Sequence, residues 1–181
     1  MRNPLRGPGF TGSWPSAVML CLLLALAGCG FQLRGSATLP FDSIYIDMPN
    51  SGMGAELKRN LRTGTNVKVV ETREEAQAVL TRASESRAKL ILSINSAGRV
   101  REFRLRYIFS YSLIDKQGRD LAAPATLSIE RDFSFNDNQV LAKESEESLL
   151  YRDMQLDLEQ QVLRRLAATP AKPLAPADPD K

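Results

Sequence analysis

The chain has 181 residues, no histidine and only two cysteines, Cys21 and Cys29. Histidine is the commonest general base and a usual zinc ligand, so its absence removes much hydrolytic and zinc-dependent chemistry. Also missing are a Gly-rich phosphate loop, a serine in a nucleophile-elbow setting and any metal-ligand spacing. The expectation is a protein without catalytic residues, metal or cofactor. Net charge is scarce too, at +3, which gives no global argument for a nucleic-acid partner. No apolar run approaches the roughly 20 residues that a bilayer-spanning helix needs.

What is present begins with a basic start, Arg2 and Arg6, followed by the unbroken apolar stretch AVMLCLLLALA from Ala17 to Ala27. Its shortness, its basic flank and the small residues after it fit a secretory h-region. The tetrapeptide Leu26-Ala27-Gly28-Cys29 directly after that run resembles the bacterial lipobox. This implies a cleaved signal at residues 1–28, a diacylglycerol thioether on Cys29 and an acylated new amino terminus. Two or more acyl chains make such anchoring stable. Gly30, not Asp, follows the cysteine, which favours the outer membrane under the sorting rule of enteric lipoproteins. Removing Arg2 and Arg6 takes the formal charge from +3 to +1. With Cys21 cleaved away and Cys29 lipidated, no thiol remains for a disulfide, although the compartment would permit one.

Residues 29–168 then suit one α+β domain behind the short lead-in at 30–41. Ile44, Ile46 and Met48 alternate with Ser43, Tyr45 and Asp47 as in a half-buried strand. A short helix over 53–63 places Met53, Leu57 and Leu61 on one face, with Gly64 as its expected C-terminal cap. Val67, Val69 and Val70 form a brief strand, Val79-Leu80 opens another extended stretch, and Leu90, Leu92 and Ile94 continue the pattern. After the turn Ser96-Ala97-Gly98, the odd residues Phe103, Leu105, Tyr107, Phe109, Tyr111 and Leu113 mark a core face, and Glu102, Arg104 and Arg106 a wet one. Lys116-Gln117-Gly118 turns the chain, and Leu127, Ile129, Phe133 and Phe135 return it, so short connections make these strands antiparallel.

A long helix over 144–167 carries Leu150, Met154, Leu158, Val162 and Leu166 as a stripe flanked by Leu149, Leu156 and Leu163. Glu144, Glu146 and Glu147 are expected in its first turn and Arg164 and Arg165 in its last, as the helix dipole favours. The tail 169–181, with prolines at 170, 173, 176 and 179, reads as extended and disordered. The whole is an α+β two-layer sandwich, with one mostly antiparallel sheet of about four strands covered by two helices.

Few residues suggest binding. Arg99, Arg101, Arg104 and Arg106 suit phosphate recognition through the planar guanidinium fork. They also suit a solvated sheet face that discourages edge pairing, which the pattern alone favours. Arg131 shares parity with the core residues of its strand, and either a bulge or an acidic partner such as Glu130 or Asp132 would relieve that. Lys143 lies between the last strand and the long helix, after the aromatic and turn-forming run from Phe133 to Asn138. That context fits an exposed loop tip.

Taken together, Cys29-Gly30-Phe31-Gln32-Leu33-Arg34-Gly35, the Gly118-Arg119-Asp120 turn, the stretch RDFSFNDNQVLAK from Arg131 to Lys143, and the long helix resemble the LPS-assembly lipoprotein family LptE. The resemblance covers nearly all of 29–168. It implies a non-enzymatic lipoprotein, anchored on the periplasmic side of the outer membrane, that plugs the lumen of the β-barrel LptD as a heterodimer and binds lipopolysaccharide. It implies a role for Lys143, the lysine of the LAK segment. A second basic residue of the family falls at or near Ser96, a departure for which Arg99 or Arg101 would supply the charge. The competing expectation is an adaptor lipoprotein of another envelope-assembly system.

Overall fold

The computed structural model describes residues 38–170. The signal segment, Cys29 and all but the first residues of the proline-rich tail lie outside the described residues.

Five strands and two helices follow in the order β1 (Ser43–Asp47), α1 (Gly52–Gly64), β2 (Lys68–Val70), β3 (Ala78–Ile94), β4 (Val100–Ile114), β5 (Asp120–Ser134) and α2 (Val140–Ala167). One 3-10 turn, Asp137–Gln139, leads into α2. The strands form a single sheet ordered β2-β1-β3-β4-β5. β3, β4 and β5 are antiparallel neighbours, whereas β1 runs parallel to both β2 and β3. The α+β sandwich is as the sequence implies, with a fifth strand. β2 is the brief strand expected at Val67, Val69 and Val70, and its parallel pairing follows from α1, the crossover that joins it to β1.

Twin turns close the two long hairpins. In each, an Asn or Asp side chain accepts main-chain hydrogen bonds from residues two and four further on. Asn95 Oδ1 takes those of Ala97 (3.0 Å) and Arg99 (2.9 Å). Asp115 Oδ1 takes those of Gln117 (2.8 Å) and Arg119 (2.9 Å). Each turn then needs a left-handed residue, supplied by Gly98 (φ +74°) and Gly118 (φ +85°), where a side chain would be strained. The motif Asn/Asp-x-x-Gly-Arg thus sets where β3 ends and where β5 begins.

Both helices cover the same face of the sheet. Met53, Leu57 and Leu61 of α1 and Met154, Leu158, Val162 and Leu166 of α2 share one core with Ile44, Ile46, Leu80, Leu105, Tyr107, Phe109, Tyr111, Leu113 and Leu127. Each fully buried large side chain contributes about 1.5–3 kcal/mol, so this cluster is what holds the layers together. A small second cluster, Val70, Ala76 and Val79 against Tyr45 and Ile114, sits apart from it.

Three local expectations change. Gly64 is the last helical residue of α1 and has no positive φ; Thr65 follows it, its hydroxyl donating to the Leu61 carbonyl at 2.7 Å. α2 begins at Val140, so Lys143 lies in its first turn and Glu144, Glu146 and Glu147 come after it. In the flanking positions of the apolar stripe, Leu149 and Leu156 are about half exposed, because α2 is wetted on that side. At the other end, Thr169 is buried and its main-chain N–H donates to the Leu166 carbonyl, so the chain stays docked just past the helix.

Candidate functional site

The residues singled out from the sequence converge on one end of the sheet. The β3–β4 turn, the end of β5 and the start of α2 all lie there. The main-chain N–H of Phe135 donates to the Arg101 carbonyl at 2.7 Å. One residue along, Glu102 pairs with Ser134 in the β4–β5 ladder. Lys143 Nζ reaches across to the Ser134 hydroxyl (3.2 Å) and to Glu146 (2.8 Å). The Arg101 main chain and Lys143 therefore lie at the same end of the sheet, both beside the end of β5. Arg99 joins them from the turn, 3.8 Å from Asp137 of the 3-10 segment.

The geometry separates these cations by availability. The Arg99 side chain is 69% exposed. Arg101 is exposed and has no ion-pair partner among the described residues. Lys143 is not the free loop lysine that its neighbourhood in the sequence suggests. It sits on a helix with its side chain only 15% exposed, tethered to Glu146. Its acidic partner is three residues on along the helix, a spacing at which side chains meet.

Arg104 and Arg106 belong to a different structure. On the sheet face away from the helices, Arg104 meets Asp132 through two hydrogen bonds (2.7 and 2.8 Å) and Arg106 meets Glu130 at 2.6 Å. The Arg104 guanidinium holds the Asp132 carboxyl below its usual range, and its own proton is held more tightly in return. These two arginines are committed to a cross-strand ladder, not to an incoming phosphate. Arg131 does have the core parity its spacing implies, pairing with Leu105, yet β5 is an edge strand and the side chain escapes outward. Its partner is Asp157 of α2 at 2.7 Å, a residue that no local pattern would nominate.

Sequence reasoning also missed Lys89. On β3 it stands opposite Leu105 under α2, with its ammonium 4.3 Å from the centre of the Phe103 ring, 5.7 Å from Phe133 and 5.8 Å from Phe135. Glu147 completes the enclosure at 2.6 Å. A cation over aromatic faces is attracted by the ring quadrupoles. Next to it, Arg87 lies over Tyr107 (4.5 Å) and Tyr151 (5.5 Å) and donates to Gln155 at 3.1 Å. The signal was the parity of Glu85, Arg87 and Lys89, which places polar side chains on the helix-covered face of β3.

Exposed aliphatic side chains surround this cationic end: Ile91, Leu92 and Ile94 of β3, and Val140 and Leu141 at the start of α2. Leu141 is 80% exposed. Positive charge and apolar surface placed side by side can hold an amphiphile whose head carries phosphate and whose tail is acyl. Among the described residues no group of His, Cys, Asp and Glu is placed to hold a metal ion. No described helix is long and apolar enough to cross a membrane.

This domain of one sheet and two helices has a fold found in bacterial lipoproteins. It resembles the solution structure of an uncharacterized lipoprotein B from Nitrosomonas europaea, with 40% identity and a TM-score of 0.68 over 77% of this chain and 91% of that one. The rare lipoprotein B from Shewanella oneidensis shares the fold at 24% identity and a TM-score of 0.61, covering 70% and 95%. Within that class, the model of the lipopolysaccharide-assembly family LptE matches residues 41–166, and the chain belongs to this family. It is 27% identical over 156 residues to the LPS-assembly lipoprotein LptE of Photorhabdus laumondii, a match covering 82% of this chain and 85% of that protein.

Proposed function

We propose that the chain is the lipoprotein subunit of a lipopolysaccharide export complex. In this reading it is anchored through Cys29 to the periplasmic side of the outer membrane, seated in the lumen of an LptD-type β-barrel, and in contact with lipopolysaccharide at its cationic tip through Lys143, Arg99 and Arg101. The observation that carries the reading is the match to the lipopolysaccharide-assembly family across residues 41–166, essentially the whole folded domain.

Two physical features support it. The lumen of a large outer-membrane barrel is polar, and the sheet face away from the helices is polar over β4 and β5. The pairs Arg104–Asp132 and Arg106–Glu130 and the Ser110–Thr126 hydroxyl pair (2.9 Å) lie along it. At the tip, guanidinium and ammonium groups suit lipid A phosphates, and Ile91, Ile94 and Leu141 suit its acyl chains. Competition with the divalent cations that bridge those phosphates would loosen lipopolysaccharide aggregates.

The test is a pull-down from detergent-solubilised outer membranes, using a tag placed after Lys181. A stable one-to-one complex with a large LptD-type barrel is the expected result. Recovery of a different envelope complex, or of the lipoprotein alone, would replace this reading with that of an adaptor.

A further inference from the structure

On the helix-covered face, β5 fills the space opposite β4 unevenly. Leu127 and Ile129 stand against Phe109 and Tyr107, but nearer the start of the strand Ala125 stands against Tyr111 and Ala122 against Leu113. Between those alanines, Ala123 and Pro124 oppose the single residue Ser112, a bulge in an edge strand. Bulges bend a strand and gather beside functional sites. The small side chains and the bend leave a cleft of about 180 Å³ between β5 and the end of α2.

The floor of the cleft is apolar and closed. Leu113 and Leu166 line it and are each 1% exposed. Tyr111 lines it as well, 4% exposed, and its hydroxyl makes no hydrogen bond among the described residues. A buried phenol normally finds a partner. Arg165 stands on the exposed side, and its guanidinium has no hydrogen bond or ion pair among the described residues. Burial raises the Tyr111 phenol and the positive charge of Arg165 opposes that, so the two groups lie within electrostatic reach of each other. An apolar hole thus shares its walls with two unused donors.

These features choose the occupant. A phenol and a guanidinium both donate, and a carboxylate accepts from both at once through charge-assisted bonds. The volume is that of one apolar group, since a closed cavity of ~150 Å³ takes a benzene molecule. An acyl chain needs a longer channel, which Leu113 and Leu166 block. Pro124, in the bulge, lacks an N–H, so a segment binding here is held by side chains and not by strand addition. What fits is a side chain the size of phenylalanine or leucine with a carboxylate beside it.

We propose that this cleft docks a segment of a partner protein. A bulky apolar side chain of that segment enters between β5 and α2, and an adjoining carboxylate bonds to the Tyr111 hydroxyl and the Arg165 guanidinium. The carboxylate is either the next acidic side chain or the segment's own C-terminus. α2 starts at the cationic tip and ends at the cleft, so the 28 residues of the helix, about 40 Å, separate the two sites. The cleft can therefore be filled while the tip meets lipopolysaccharide and the chain is paired one to one with a barrel. The inference goes beyond the export reading and does not rest on it.

The full lipoprotein in phospholipid nanodiscs tests it, by nuclear magnetic resonance titration with short peptides. One is blocked at both ends and carries phenylalanine followed by aspartate; the other ends in phenylalanine with a free carboxylate. The better binder identifies the source of the carboxylate, and it should shift the signals of Tyr111, Ala122, Ala125 and Arg165 while leaving the tip unmoved. Its counterpart without the carboxylate, with asparagine or a terminal amide, should bind about tenfold more weakly, the scale of one charge-assisted hydrogen bond. Tyr111→Phe should weaken binding by about the same factor and leave the melting temperature in place, because that hydroxyl bonds nothing within the domain. Arg165→Gln should weaken binding similarly. Ala125→Leu, which fills the cleft, should abolish it with an unchanged circular dichroism spectrum. Silence toward both carboxylate peptides, equal affinity within both pairs, or binding untouched by Tyr111→Phe and Arg165→Gln would each overturn the proposal. So would binding seen only after removal of residues 171–181, which would give the cleft to the chain's own tail. A stronger response to dodecanoate than to either peptide would give it to an acyl chain instead. Because the barrel pull-down is read separately, failure here and failure of the export reading are distinguishable.

Discussion

At the scale of single residues, Lys143 carries the sharpest expectation. Its ammonium is held by Glu146 and Ser134, so a phosphate must share it or displace Glu146. That exchange can proceed from the solvent side, because Glu146 is exposed and the Lys143 side chain keeps 15% exposure, and a partly buried pair of this kind stabilises the fold by about 1 kcal/mol. Lys143→Asp should lower affinity for purified lipopolysaccharide by about tenfold or more, the scale of one lost charge-assisted hydrogen bond. The fold should survive, since an acid in the first turn of a helix is favoured by the dipole. Lys143→Arg, which keeps the charge, should retain most of the binding. Equal affinities for the folded Asp variant and the parent would remove Lys143 from the site and leave Arg99 and Arg101 to account for it.

At the scale of elements, α2 is where sequence periodicity and actual packing part company. Leu158 and Leu156 look alike in the sequence, both within or beside the apolar stripe. In the structure Leu158 is fully buried and Leu156 is 51% exposed. Leu158→Ala should cost about 2–5 kcal/mol as a core truncation, and Leu156→Ala less than about 0.5 kcal/mol, read as shifts in the urea midpoint. Similar shifts for the two would mean that α2 packs on a different face. The same contrast explains what could be read in advance. The buried alternation of β4 was legible because five successive odd residues from Leu105 to Leu113 share one environment. The three-residue β2 strand was legible from its valines, whereas the helix start at Val140 is masked by loop-like Phe135–Asn138. The tip was half legible. Arg99, Arg101 and Lys143 stand out by residue type, whereas their neighbourhood depends on the β4–β5 register, and the enclosure of Lys89 depends on rings from two other strands.

For the whole molecule, the absence of histidine shapes the response to pH. No side chain has its ordinary pKa near neutrality, so stability should be nearly flat there and fall away on both sides. The acid limb comes from lowered carboxyls. At Asp115, burial pulls the pKa up, but hydrogen bonds from the Arg119 main chain and guanidinium outweigh it and the net direction is down. Asp132 is lowered by Arg104. A carboxyl lowered in the folded state stabilises it above the unfolded pKa, and that contribution is lost as pH falls through the folded value. The alkaline limb has the opposite sign. Burial, followed by the bond to Glu85, pushes Tyr107 from 10.0 up to about 12, and burial raises Tyr111 and Tyr151 as well. A raised phenol stabilises the fold fully below the unfolded value, and the contribution fades as pH climbs through the folded one, here from 10.0 to about 12 for Tyr107. Glu159, raised by burial between Asn60 and Gln155, acts in the same sense from its ordinary 4.5 upward. Its effect tilts the plateau gently downward. Melting temperature against pH should therefore trace a broad dome. Tyr107→Phe should lower the plateau, by loss of the hydrogen bonds to Glu85 and Arg87, and flatten the alkaline limb while leaving the acid limb in place. An alkaline limb as steep as the parent's in that variant would assign the loss of stability at high pH to groups other than Tyr107.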